Sequence, residues 1–248
     1  MKTYRPALRK YLVKFLLVFW IFSLAGVLIF RFVPVFVTPL MVLRLAQSVV
    51  AGQWVGIRHD WVPLDEISPA VIGAVLKAED YRFYDHFGFD FEAIKKAYRY
   101  NQTHKQKKGA STITQQTAKN VFLWPSRSWL RKGFESYFTV LIELVWPKDR
   151  ILEVYLNVIE LGPGVYGVEA ASQKYFRRSA KRLTHAQAAL IAAVLPNPQK
   201  LRIESPSLYV LSRQRRILNR VAPVVSKTAE ASLLDFFDLK FEDEEYSP

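Results

Sequence analysis

Three stretches of this chain carry side chains that could do chemistry: EDYRFYDHFGFD at residues 79–90, GASTITQQTAKN at 109–120 and RKGFE at 131–135. In the first, Glu79 continues an apolar stripe formed by Ile72, Val75 and Leu76, so the helical period places a carboxylate on a core-facing surface. A carboxylate there is costly unless paired, and burial raises its pKa toward the range in which it works as a base or acid near neutrality. The plain alternative is a glutamate that ends the helix and caps it or forms a salt bridge. The neighbouring Phe83, Phe87, Phe89 and Phe91 read as core aromatics.

In the second stretch Ser111 reads as an N-cap, and the helix it opens sets Thr112, Gln115, Gln116 and Lys119 on one side. Hydroxyl, amides and ammonium together suit sugar hydroxyls or phosphate, although a polar stripe is also what a solvated helix face looks like. In the third, Arg131 and Glu135 form an i, i+4 pair worth only a few tenths of a kcal/mol on a surface. Glu135 is nonetheless a second carboxylate, and Arg131 with Lys132 has the chemistry to receive a pyrophosphate.

Other signals fail their context. Gly162, Gly164 and Gly167 satisfy G-x-G-x-x-G, but they follow a helical pattern and no acidic residue lies about twenty positions on, so a dinucleotide site is not expected. The four histidines have no ligand-like spacing, so no metal site is expected. The basic loop His104–Lys108 and the helix bearing Arg213, Arg215, Arg216 and Arg220 lack a nucleic-acid module around them. An anionic membrane surface accounts for them, at about 1 kcal/mol per nearby basic residue.

The elements that must position these residues follow from composition and periodicity. The 248 residues contain no cysteine, which excludes disulfides and thiolate metal sites, and carry a net charge of +13. Lys2, Arg5, Arg9, Lys10 and Lys14 crowd the first fourteen positions, yet the remaining chain is basic too. From Tyr11 to Val33 the sequence is apolar for long enough to cross a bilayer, with Lys14 and Arg31 snorkelling. The basic flank predicts a cytoplasmic N-terminus. A cleaved signal peptide is the competing reading, but the apolar run is long for one and no A-x-A site follows.

Residues 34–64 read as a short helix and a membrane-proximal connection. Helices are predicted over Phe91–Tyr100, Thr112–Val121, Trp129–Val145, Asp149–Ile159, Val165–Phe176, His185–Leu195 and Pro206–Val221. Ser68-Pro69 starts an earlier helix, and Thr184 with Gln187 forms a capping box. A last helix near Lys227–Phe237 leads into an acidic tail, and no convincing strand pattern is present. The expected organisation is a basic tail (1–10), an anchor (11–33), a connection (34–64), a mainly α catalytic domain (65–223) and a C-terminal segment (224–248).

The motifs gain weight from their order. The chain resembles glycosyltransferase family 51, the peptidoglycan glycosyltransferases, and most of all its monofunctional biosynthetic members. EDYRFYDHFGFD and GASTITQQTAKN match the first two family motifs, and RKGFESYFTVLIE (131–143) the third. KDRILEVYLNVIELGPGVYGVEAASQKYF (148–176) and LTHAQAALIAAVLPNP (183–198) resemble the fourth and fifth. Thr139 and Gln187 depart from the residues usual at their positions, and both departures read as structural.

The resemblance implies a lysozyme-like helical fold with a cleft between a globular head and a membrane-embedded jaw. It implies a growing glycan on undecaprenyl pyrophosphate as donor, lipid II as acceptor, and inversion at the anomeric carbon. By motif, Glu79 is the general base and Glu135 positions donor or cation. Lys119, Arg131 and Lys132 stabilise the departing pyrophosphate, and Ser111, Thr112, Gln115, Gln116 and Asn120 line the donor site. No cofactor is required, though a divalent cation could assist. Expected partners are the lipid substrates and the inner membrane, with cell-wall synthesis and division proteins as further candidates and nucleic acid not among them. The S-x-x-K and K-T-G motifs of a transpeptidase are absent, so polymerisation without crosslinking is expected. A peptidoglycan-cleaving enzyme of similar fold and a non-catalytic wall scaffold are the rival readings.

Overall fold

The apolar N-terminal run forms one long helix, α1 (Tyr4–Phe32), whose segment Arg9–Phe32 is 24 residues long. At 1.5 Å per residue that is roughly 36 Å, enough for a hydrocarbon layer of about 30 Å. A computed structural model describes residues 4–220 apart from Gln106 and Arg127; the helix expected near Lys227–Phe237 and the acidic tail lie outside the described residues. Phe15, Leu16, Phe22 and Ile29 of α1 are exposed among the described residues, as a lipid-facing surface requires. Thr38 then caps α2 (Pro39–Val50), with proline at its first position.

The head is built from α3 (Pro69–Glu79), α4 (Phe91–Thr103), α5 (Ile113–Phe122), α6 (Trp129–Val145), α7 (Lys148–Val158), α8 (Val168–Phe176) and α9 (His185–Val194). A further helical stretch covers residues 208–220. Ser68 caps α3 as expected, accepting from the Ala70 amide. Thr184 and Gln187 form the expected reciprocal capping box at the start of α9. Small residues let α3 and α9 approach closely: Ala70, Ala74, Ala188, Ala189, Ala192 and Ala193 are all buried. Every residue of α7 from Ile151 to Val158 except Glu153 is buried, the pattern of a central helix with no solvent face.

Three expectations about the elements are corrected. A small sheet exists, in the order β1 (Arg58–His59), β3 (Val165–Tyr166), β2 (Glu160–Gly162), with β1 parallel and β2 antiparallel to β3. The helix expected from Val165 therefore starts at Val168. Gly167 explains both: its φ of +81° breaks the helix, and a Cβ there would lie 2.5 Å from the Asn157 carbonyl oxygen. The glycine run that imitates a dinucleotide fingerprint is a hairpin. Ser111 is exposed and is not the N-cap; Thr112 caps α5 in a capping box with Gln115, because only its side chain reaches the Gln115 amide. Of the four phenylalanines, Phe83 is core, whereas Phe87 and Phe91 are exposed and Phe89 is half-buried. The loop that carries them turns outward after Phe83.

The anchor is joined firmly to the head. Phe19 packs on Phe134 and Tyr137 of α6, and the Ser23 hydroxyl meets that of Tyr137 at 2.6 Å. The Trp146 indole N–H donates to the Val27 carbonyl at 2.7 Å. Arg150 donates to the Phe30 and Val33 carbonyls at the end of α1, groups that no helical partner satisfies.

Candidate active site

Glu79 is the last residue of α3 and its side chain is 14% exposed. The plain reading of this residue is met, for it ends the helix and forms an ion pair, with Arg213 at 3.2 Å. The Gln116 side-chain amide donates to its other oxygen at 3.0 Å. The Tyr155 hydroxyl donates in turn to the Gln116 carbonyl oxygen at 3.2 Å. Burial pushes the Glu79 pKa up, against the opposing pull of Gln116, Arg213 and Lys119. Burial likewise pushes the Tyr155 phenol well up, so it remains a donor to Gln116. The carboxylate is thus held by two neighbours and biased toward accepting a proton.

Asp80 next to it is buried and differently employed. It accepts from the Ile113 amide at the N-terminus of α5 (3.0 Å) and from His86 Nε2 (2.9 Å). Thr112 donates to the Gly88 carbonyl at 2.6 Å. Residues 80–88 are therefore tied across the start of α5, which fixes Glu79 relative to Gln116. Gly88 has a φ of +72°, and a Cβ on it would come within 2.7 Å of the Thr139 methyl, so Thr139 packs against this loop. The Thr139 hydroxyl is satisfied by the Glu135 carbonyl, which agrees with a structural role.

Glu135 is 3% exposed, so the solvated ion-pair reading of RKGFE does not hold. Its two oxygens are shared between Arg131 and Lys132, one on each. Lys132 also approaches the Ser111 hydroxyl, at 3.5 Å. Lys119 stands between the two glutamates electrostatically. Burial lowers its pKa, while Glu135 and, more weakly, Glu79 raise it against the repulsion of Arg131 and Lys132. A cation so desolvated gains from an incoming anion.

A cleft of roughly 500 Å³ opens beside these groups, lined by the partners of Glu79 and Glu135 and not by those two glutamates themselves. Gln116, Lys119, Asn120, Arg131 and Tyr155 line it, together with Leu40, Arg44 and Gln47 of α2, Glu160, and the loop Leu195–Gln199. Of the residues expected to bind substrate, the structure brings Gln116, Lys119, Asn120 and Arg131 to this cleft. Thr112 and Gln115 are spent on the capping box, and Ser111 and Lys132 stand beside Glu135. The transglycosylase family model matches residues 47–222, which span both glutamates and every cleft-lining residue except Leu40 and Arg44. The chain belongs to the transglycosylase family.

The agreement extends to whole relatives. A biosynthetic peptidoglycan transglycosylase of Bdellovibrio bacteriovorus is 69% identical over 245 residues, covering 99% of this chain and 98% of that protein. Proteins of the same name from Bacteroides thetaiotaomicron and Caulobacter vibrioides are 52% and 51% identical, covering 84% and 86% of the chain. The mostly helical body with one short sheet fits the lysozyme-like architecture expected of a transglycosylase. The N-terminal apolar helix fits a single-pass membrane anchor.

Several groups in the transglycosylase cleft escaped the sequence reading. Glu160 is buried, with Gln199 donating to one oxygen and the Arg44 guanidinium 3.6 Å from the other. Burial raises its pKa, opposed by Arg44 and then Gln199. Its signal was present: an acid alone in the apolar run VYLNVIELG needs a partner. Arg44, a lone charge in PLMVLRLA, carries the same signal. Tyr155 and Arg213 gave none, because which face of α7 or of residues 208–220 meets Glu79 depends on long-range packing.

Proposed function

We propose that this transglycosylase polymerises lipid II into β-1,4-linked glycan strands, with Glu79 as the general base. Glu79 takes the proton from the acceptor sugar's 4-hydroxyl as that oxygen attacks the donor's anomeric carbon from the face opposite the lipid. The bond to undecaprenyl pyrophosphate breaks, the anomeric centre inverts, and the pyrophosphate leaves toward Lys119, Arg131 and Lys132. Gln116 and Tyr155 hold the base, and Glu135 holds Arg131 and Lys132 in place. Asn120 faces the donor sugar from the same cleft. The chemistry needs no resident cofactor, and a divalent cation would act on the phosphates themselves.

The observation that supports this reading is the division of labour around Lys119. One buried carboxylate is biased toward proton uptake, and the other is consumed in fixing two cations. A glycan-cleaving enzyme has use for the first carboxylate but none for a cationic bed. The basic N-terminal cluster and α1 support an inner-membrane protein whose N-terminus is cytoplasmic and whose head is periplasmic. The test is to give the purified full chain lipid II in detergent, alone, with moenomycin and with penicillin. Polymer that disappears with moenomycin and persists with penicillin is expected. Cleavage of preformed glycan without any polymer would overturn the reading.

A further inference from the structure

We propose that Arg44, on the membrane-proximal helix α2, is a further pyrophosphate-binding residue of the cleft, held in reserve by Glu160. The inference rests on the pyrophosphate-lipid substrate proposed above. Arg44 lines the same cleft as Lys119 and Arg131 but from the opposite element, α2 against α5 and α6. Its bonding is unfinished. Among the described residues the buried Nε atom has no hydrogen-bond partner, and it meets the Glu160 carboxylate only as an ion pair at 3.6 Å, beyond hydrogen-bond range. Its terminal nitrogen has one neutral contact, the Gln47 side chain at 3.3 Å. A guanidinium serving only as a structural clamp on a buried acid would close to charge-assisted distance. This one spends a single terminal nitrogen on a neutral amide, so its two terminal nitrogens can turn to a phosphate and grip it through two parallel bonds.

Placement argues the same way. Six residues separate the end of α1 from Pro39, and Val42, Leu43, Val49 and Val50 give α2 an exposed apolar face. Such a helix lies along a bilayer surface. Arg44 therefore stands at the level where the phosphates of a membrane lipid would enter the cleft. When Arg44 turns to a diphosphate, Gln199 still holds the other carboxylate oxygen of Glu160. A diphosphate would then be gripped from two walls, by Lys119 and Arg131 on one side and Arg44 on the other.

The test uses the full chain in detergent and equilibrium binding of undecaprenyl pyrophosphate, with undecaprenol as the phosphate-free control. Arg44→Gln is expected to weaken pyrophosphate-lipid binding by about tenfold or more, the loss of a charge-assisted contact, and to leave undecaprenol unaffected. Arg44→Lys, which keeps the charge and loses the fork, should fall between. Glu160→Gln should tighten binding, and that gain should vanish in the double variant. Unchanged binding in Arg44→Gln overturns the proposal. So does equal weakening by Arg44→Gln and Glu160→Gln, the sign of a structural clamp, or a gain from Glu160→Gln that survives without Arg44. If Arg44→Gln fails to fold, the Arg44→Lys loss and the sign of the Glu160→Gln effect decide alone. Binding is read without turnover, so a wild type that binds the lipid but makes no polymer would refute the proposed function and not this one.

Discussion

Gln116 is the residue on which the assignment of the base can be tested most sharply. It joins Glu79, at 3.0 Å, to the fully buried Tyr155 hydroxyl, at 3.2 Å. Gln116→Leu keeps the volume and removes both bonds, with three separable consequences. A hydrogen bond to a charged group is worth about 1.5–3 kcal/mol, so if it holds the base in line, turnover falls by roughly ten- to a hundredfold. The Tyr155 hydroxyl is left unsatisfied in the core, which costs about 1–3 kcal/mol and lowers the melting temperature by several degrees. The third consequence is on pH. Gln116 favours the charged carboxylate, so its loss raises an already raised pKa further. A base works only when deprotonated, so the rate rises with pH through that titration, and the acidic limb must move to higher pH. Tyr155→Phe leaves the Gln116–Glu79 bond in place and should move the limb much less. The assay is the initial rate of lipid II polymerisation by the full chain across the neutral range, beside a thermal melt. A Gln116→Leu enzyme with the wild-type acidic limb, whatever its rate, would refute the reasoning, because the titrating group would not be the carboxylate that Gln116 touches.

Four further outcomes are expected. Glu79→Gln should cost about 10²–10⁴ in polymerisation, as loss of a general base does, with little change in melting temperature. Glu135→Gln should cost less turnover but melt earlier, since it removes the counter-charge between Arg131 and Lys132; the reverse ranking would exchange the two roles. Deleting residues 1–33 should weaken polymerisation in liposomes and also lower the melting temperature, because Trp146 and Arg150 lose their carbonyl partners; an unchanged melt would make α1 a mere tether. Gly167→Ala should destabilise by about 1–3 kcal/mol in a denaturant titration, because the backbone there is left-handed and the Asn157 carbonyl occupies the Cβ position.

How much of this was legible in the sequence depended on the range of the interactions involved. Helices whose ends are set locally read correctly: Trp129–Val145 was placed to the residue, and the Ser68 and Thr184 caps were recognised from side chains that bond amides two or three positions on. The sequence does not separate Ser111 from Thr112 as the cap, because both have suitable hydroxyls. The register was decided by Thr112 reaching Gly88, far away in sequence. The sheet was missed for a related reason. Its strands are two or three residues long, too short for alternation to show, and they exist because Gly164 and Gly167 admit backbone angles that end one element and start the next.

The site divides along the same line. The burial of Glu79 is legible from helical period alone, since an acid on an apolar stripe is conspicuous, whereas that of Glu135 is not. An i, i+4 pair is weak on a surface, yet here Lys132 joins Arg131 on the same carboxylate and the group is buried. Two cations on one buried acid leave net positive charge beside Glu135, and Lys119, drawn on also by Glu79 and Glu160, faces it. That excess would be destabilising in a resting protein unless something anionic regularly occupied the space between. The cost of assembling the cluster is itself an argument for an anionic ligand, and it agrees with the lipid pyrophosphate proposed above.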